Sequence, residues 1–91
     1  MQTPKRISVI GDGGWGTTLA LVLFKKGFDV TIWGAFPDYV EILKAKRENI
    51  KFLPGFKIPE KIRLTSSLVE ALRDSDFIIF AVPSQFMRGV L

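Results

Sequence analysis

The residues of this chain with the clearest chemical meaning carry almost no side chain. Gly11, Gly13 and Gly16, with Asp12, Gly14 and Trp15 between them, fit the spacing G-x-G-x-x-G. Eight glycines in 91 residues can produce that spacing by accident, so its setting has to carry the argument. A β-rich run, Arg6-Ile-Ser-Val-Ile10, leads directly into it, and a helical stretch follows. In such a setting the first glycine permits a tight turn and the second lets the backbone approach a pyrophosphate. The third lets the helix pack close on the strand. The free amides at the helix start and the helix dipole then face the anion. The spacing therefore predicts a dinucleotide site, with a tight strand-to-helix turn that holds no ligand as the plain alternative. No lysine followed by serine or threonine closes the loop, which argues against a nucleotide-hydrolysing phosphate loop. Asp12 places a carboxylate inside an anion-binding turn. Its side chain is expected to point away, to solvent or to a neighbouring amide.

About 20 residues past such glycines, an acidic residue binds the ribose 2′-hydroxyl of NAD, and an arginine favours the 2′-phosphate of NADP. Here that stretch reads Trp33-Gly34-Ala35-Phe36 and holds neither. Asp29 begins the strand and Asp38 lies past its end, so both are poor candidates. Phe36 has two readings, a stacking surface for adenine or the hydrophobic staple of the next helix. The choice between NAD and NADP stays open.

The composition excludes other chemistry. With no cysteine and no histidine, neither a disulfide frame nor a thiol-based metal site is available, and no metal site is expected. The net charge of +4 is dispersed along the chain in ones, twos and threes interrupted by acids. It reads as solvated surface, not as a nucleic-acid stripe. The start of the chain is polar, and no apolar run approaches the roughly 20 residues needed to cross a bilayer. The expectation is an intracellular, cytoplasmic chain with no membrane span.

The elements that must position the glycine turn follow from periodicity. Trp15 to Lys26 holds the apolar run Leu19 to Phe24, closed by two lysines and Gly27, as a helix of about three turns would be. Phe28 to Trp33 reads as a second strand. Pro37 and Asp38 suit the first turn of a second helix, with Tyr39, Ile42 and Leu43 on one face and Val40 beside it. From Asn49 to Pro59 the pattern breaks, and Pro54, Gly55 and Pro59 predict an irregular loop. Lys61 to Thr65 forms a third strand. Ser67-Leu-Val-Glu70 matches a capping box, opening a helix to about Asp74. Phe77 to Val82 is the most hydrophobic strand, and Pro83 suits the start of another helix.

This alternation, with the first and last strands apolar on both faces, predicts an α/β fold with a parallel sheet covered by helices. It is a partial Rossmann-type, doubly wound sheet, with the strands in the order 3-2-1-4. A complete fold of that type carries further strands, so the end at Leu91 is expected to be a truncation in mid-architecture.

Three segments together resemble NAD(P)-dependent glycerol-3-phosphate dehydrogenase. They are Ile10-Gly-Asp-Gly-Gly-Trp-Gly-Thr-Thr-Leu-Ala20, Asn49-Ile-Lys-Phe-Leu-Pro-Gly55 with Pro59, and Phe80-Ala-Val-Pro-Ser-Gln-Phe86. The resemblance spans essentially the whole chain. It implies the reversible reduction of dihydroxyacetone phosphate to glycerol 3-phosphate, with NAD or NADP as cofactor. Gly11, Gly13, Gly14, Trp15 and Gly16 would hold the pyrophosphate. Ala35 and Phe36 occupy the positions of adenosine-binding residues, often basic in the family, and Phe86 would pack near the cofactor. Each has a plainer reading: Trp15 as a cover for the sheet, Phe86 as a core residue of the last helix, and Asn49, Pro54 and Gly55 as loop-shaping residues. Arg88 is more readily a helix-surface residue than a phosphate ligand. The resemblance places the catalytic lysines and the substrate-phosphate grip further along, partly in a helical C-terminal domain. The chain is thus read as residues 1–91 of a dinucleotide-binding domain, with no catalytic residue and no substrate domain, and inactive alone. A small phosphorylated substrate, and room for a homodimer, belong to the complete enzyme. The alternatives are a stand-alone dinucleotide-binding or sensing module and a ketopantoate reductase, which the N-x-x-F-L-P-G loop disfavours.

Overall fold

The structure is a computed structural model that describes residues 5–73 and 75–81. In chain order the elements are β1 (Arg6–Ile10), α1 (Gly14–Lys25), β2 (Asp29–Trp33), α2 (Pro37–Lys46), β3 (Glu48–Asn49), β4 (Leu53–Lys57), β5 (Arg63–Thr65), α3 (Leu68–Leu72) and β6 (Phe77–Phe80). A parallel sheet runs β5-β2-β1-β6, which is the expected 3-2-1-4 once the hairpin β3–β4 is set apart. Ile10 lies opposite both Trp33 and Phe80, so the ends of β1, β2 and β6 share one edge of the sheet.

Alternating side chains divide the sheet between two layers. Val9, Val30, Ile32 and Leu64 pack with Ala20 of α1 and with Val40 and Leu43 of α2 in one buried cluster. Ile10 and Trp33 face the other way, against Ala71 of α3 and the half-buried Leu68. Right-handed crossovers require this arrangement, because the chain must reverse across β2 and β1 on its way from β5 to β6. Ser8, buried on the α3 face, is satisfied by the Ala71 carbonyl and the Ser75 hydroxyl.

Local signals set the helix ends. Gly27, at φ +99°, closes α1 with two backbone bonds, from its own amide to the Phe24 carbonyl and from the Phe28 amide to the Leu23 carbonyl. This is the glycine-terminated helix ending that satisfies last-turn carbonyls. At the end of α2 a non-glycine residue, Arg47, takes φ +51°. Its guanidinium donates to the carbonyls of Pro59 and Ile62 and faces Glu60 at 3.5 Å, fastening the loop before β5. The capping box at α3 forms by half. The Ser67 hydroxyl accepts from the Glu70 amide, but the Ser67 amide donates to the Thr65 hydroxyl, leaving that donor no need of the Glu70 side chain.

Two expectations require correction. The segment from Asn49 to Pro59 is not an irregular loop but mostly the antiparallel hairpin β3–β4, with Glu48 opposite Lys57, Asn49 opposite Leu53 and an irregularity between. Its second strand contains Pro54 and Gly55, and four of its five residues are exposed, so it lacks the alternating apolar pattern of a half-buried strand. Among the described residues, the last strand, β6, is also not covered on both faces. Ile78 and Phe80, on the side of Ser8 and Ile10, are exposed because α3 is five residues long and lies over β1, β2 and β5, and Phe77 is exposed on the opposite face. Val82 and the expected helix after Pro83 lie outside the described residues.

Candidate functional site

The glycine turn leaves the end of β1 and enters α1 directly. Gly11 has φ +135°, a region that favours glycine, and its amide donates to the Trp33 carbonyl at 2.8 Å. The other glycines differ in what surrounds them. A Cβ on Gly16 would lie 2.2 Å from the Gly11 carbonyl oxygen, and one on Gly14 would lie 2.8 Å from that of Phe52. Both positions are closed by backbone. A Cβ on Gly13 would meet nothing within 4 Å. Gly13 is the N-cap of α1, and no side chain caps the helix there. The first-turn amides, which an α-helix leaves without intrahelical acceptors, therefore have no side-chain cap. No acidic residue stands in that first turn. This geometry suits an anionic group held by backbone donors.

Asn49, buried in β3, ties the turn to the rest of the fold. Its Nδ2 donates to the Asp12 carbonyl at 2.6 Å and to the Thr17 hydroxyl at 2.8 Å. Its Oδ1 accepts from the Tyr39 hydroxyl and, at 3.3 Å, from the Phe52 amide. One side chain thus joins the glycine turn, α1, α2 and the hairpin. These bonds fit the loop-shaping reading of Asn49. The Tyr39 hydroxyl is pushed above its ordinary pKa of 10.0, mainly by burial; the Lys51 amide opposes this, and the nearby Asp12 charge adds to it. It stays protonated at neutral pH and can donate to Asn49.

Asp12 turns not to solvent but to the end of β2. Its Oδ2 lies where a side chain on Gly34 would begin, 2.2 Å from the position of a Cβ there. That oxygen is buried and accepts no hydrogen bond. Burial pushes the carboxyl above its ordinary value of 3.8, and a bond from its own amide partly offsets the rise. Ala35 and Phe36 follow Gly34 at the same sheet edge, both exposed, as is Trp15. Trp15 therefore does not serve as a cover for the sheet. Phe86 lies outside the described residues. Two clefts elsewhere, one of about 170 Å³ between α1 and β4 and one of about 430 Å³ beside Phe28 and Lys61, do not include the glycine turn. Among the described residues no helix is long and apolar enough to cross a membrane.

The model of the NAD-dependent glycerol-3-phosphate dehydrogenase N-terminus matches residues 6–91. The chain belongs to this family. It is 49% identical over 87 residues to glycerol-3-phosphate dehydrogenase [NAD(P)+] of Geobacter sulfurreducens, covering 96% of this chain and 26% of that protein. The enzyme of the same name from Streptomyces avermitilis is 42% identical over the whole chain and 27% of its own length. Among solved structures, glycerol-3-phosphate dehydrogenase from Coxiella burnetii superposes with a TM-score of 0.89 at 34% identity, covering 96% of this chain and 27% of that one. The yeast enzyme gives 0.82 at 31% identity, covering 97% and 29%. The chain thus spans about a quarter of the relatives it matches.

Within the family frame, the structure brings Gly11, Gly13, Gly14, Trp15, Gly16, Ala35 and Phe36 to one edge of the sheet. Reading the sequence missed two relationships at this edge. One is the seat of the Asp12 carboxylate beside Gly34. The other is the packing of Gly14 on the hairpin, for which the Phe52 in the N-x-x-F-L-P-G motif was the available signal.

Proposed function

We propose that the chain binds a nicotinamide dinucleotide, NAD or NADP, as the first part of the dinucleotide-binding domain of a glycerol-3-phosphate dehydrogenase. The pyrophosphate lies over Gly13, on the first-turn amides of α1, with Gly11, Gly14, Trp15 and Gly16 shaping the turn. Ala35 and Phe36 border the adenosine, and Phe86 contributes from the segment after β6. The observation that carries this reading is the contrast among the glycines: Gly14 and Gly16 are needed for packing within the protein, whereas the space over Gly13 is free for a ligand. In the longer protein the cofactor would supply or accept the hydride that interconverts dihydroxyacetone phosphate and glycerol 3-phosphate. This chain's own residues bind and orient it. The catalytic groups, the phosphorylated substrate's site and any pairing of subunits belong to the remainder.

Titration calorimetry of the chain with NADH and NADPH tests the site. At least one should bind, and Gly13→Val should weaken it by about tenfold or more, some 1.4 kcal/mol, by filling the open space. Circular dichroism should show the fold intact, since the new side chain meets no protein atom near its Cβ. Equal affinity in the two proteins would overturn the assignment.

A further inference from the structure

The end of β2 lacks the acidic residue that usually marks the ribose site, yet a carboxylate stands there. It comes from the neighbouring strand's loop. Gly34 has no side chain, and Asp12 Oδ2 occupies the place where one would start, 2.2 Å from a Cβ position that is also 2.7 Å from Val40 Cγ2. Asp12 and Gly34 are therefore coupled: any side chain at position 34 would expel the carboxylate. No lysine or arginine occurs from Gly34 to Asp38 to receive a 2′-phosphate. Lys51, the basic residue of the hairpin turn, lies with its ammonium over the Phe52 ring, 5.3 Å from its centroid.

We propose that Asp12 is the residue that selects between the two dinucleotides: turned out from its seat against Gly34 at the end of β2, its carboxylate accepts from the adenosine ribose hydroxyl and excludes a 2′-phosphate. The inference rests on the dinucleotide site proposed above and names its cofactor as NAD. A purely structural aspartate at this place would be hydrogen-bonded through both oxygens, because a buried acceptor without a donor is costly. Asp12 instead keeps Oδ2 unpartnered while Asn49 engages only its backbone carbonyl. The neighbouring polar side chains are already committed, Tyr39 to Asn49 and Asn49 to Thr17. A ribose diol supplies the missing donor. The residue is only half-buried, so a rotamer change brings the carboxylate to the surface of the sheet edge. A phosphate there would meet a like charge, and the stretch from Gly34 to Asp38 offers no lysine or arginine to offset it.

Calorimetry of the chain with NADH and NADPH, for the original protein, Asp12→Asn and Asp12→Ala, decides the matter. The original should favour NADH by about tenfold or more, the range of a charge-assisted hydrogen bond. In both variants NADH binding should weaken and NADPH binding should strengthen, bringing the ratio within about threefold. A role confined to holding the fold would shift both affinities together and leave the ratio where it was, which would overturn the proposal. So would an original protein that prefers NADPH. If the original binds neither dinucleotide, the site reading itself fails and the proposal with it. If NADH binds, Gly13→Val abolishes that binding and the Asp12 variants leave the ratio unchanged, only the selectivity role is lost.

Discussion

A carboxylate oxygen that gives up water without gaining a donor works against the folded state, and Asp12 is such a group. Its folded-state pKa lies above the ordinary 3.8, so the unfolded chain releases this proton at lower pH than the folded one. The folded state is unburdened below that ordinary value and carries the full penalty once pH rises past the elevated one. Asp12→Asn should therefore raise the melting temperature at pH 7, and the gain should shrink as pH falls toward about 4 and below. Thermal unfolding from pH 3 to 8 measures it. A gain that is the same at every pH would mean that ionisation is not the cause. The same substitution that weakens NADH binding thus stabilises the free protein, the trade expected of a group kept for its ligand. Little of this was legible in sequence. The G-x-G-x-x-G spacing shows that an acid sits in the turn, but where it points depends on the vacancy at Gly34, which lies on another strand.

The hairpin β3–β4 shows what periodicity misses among the elements. Its strands are short, one holds a proline and a glycine, and neither covers the main core, so nothing alternates in the way a buried strand does. Its contribution comes through Asn49 instead of through apolar burial. Asn49→Ala removes two donated and two accepted hydrogen bonds from a buried position. The Asp12 carbonyl and the Phe52 amide would lose this partner at the glycine turn and the hairpin. We expect a loss of about 3 kcal/mol, or on the order of 10–20 °C in melting temperature for a domain of this size. Hydrogen exchange should show faster opening from Gly11 to Thr17 than in the core of β2. If melting moves by less than 3 °C, Asn49 does not organise the turn. The helices were more legible because their signals are local: Pro37 at the start of α2, Gly27 after α1 and the Ser67 cap of α3 are all where the sequence put them.

On the scale of the whole molecule, the alternation of strands and helices was enough to order the main sheet, since crossover handedness leaves few arrangements. The same reading expected β6 to be buried, and the structure gives it a different environment. Among the described residues β6 is paired on one side only, with β1. By register, Ile78 and Phe80 lie on the face of Ser8 and Ile10, which α3 covers over β1 but not over β6. Ile78 is 44% exposed, Phe80 44% and Phe77 57%, on a strand with no charged residue. An apolar strand left unpaired on one side among the described residues is a template for pairing with another chain. We therefore expect the 91-residue chain to self-associate as its concentration rises, with light scattering giving a mass that climbs above 10.2 kDa. Ile78→Lys places a charge on the bare face without entering the cluster that holds Val9 and Ala20, and it should lower that mass toward the monomer while leaving melting nearly unchanged. A chain that stays monomeric at millimolar concentration, or a variant that associates as strongly as the original, would show that the exposed face of β6 does not drive contact between molecules.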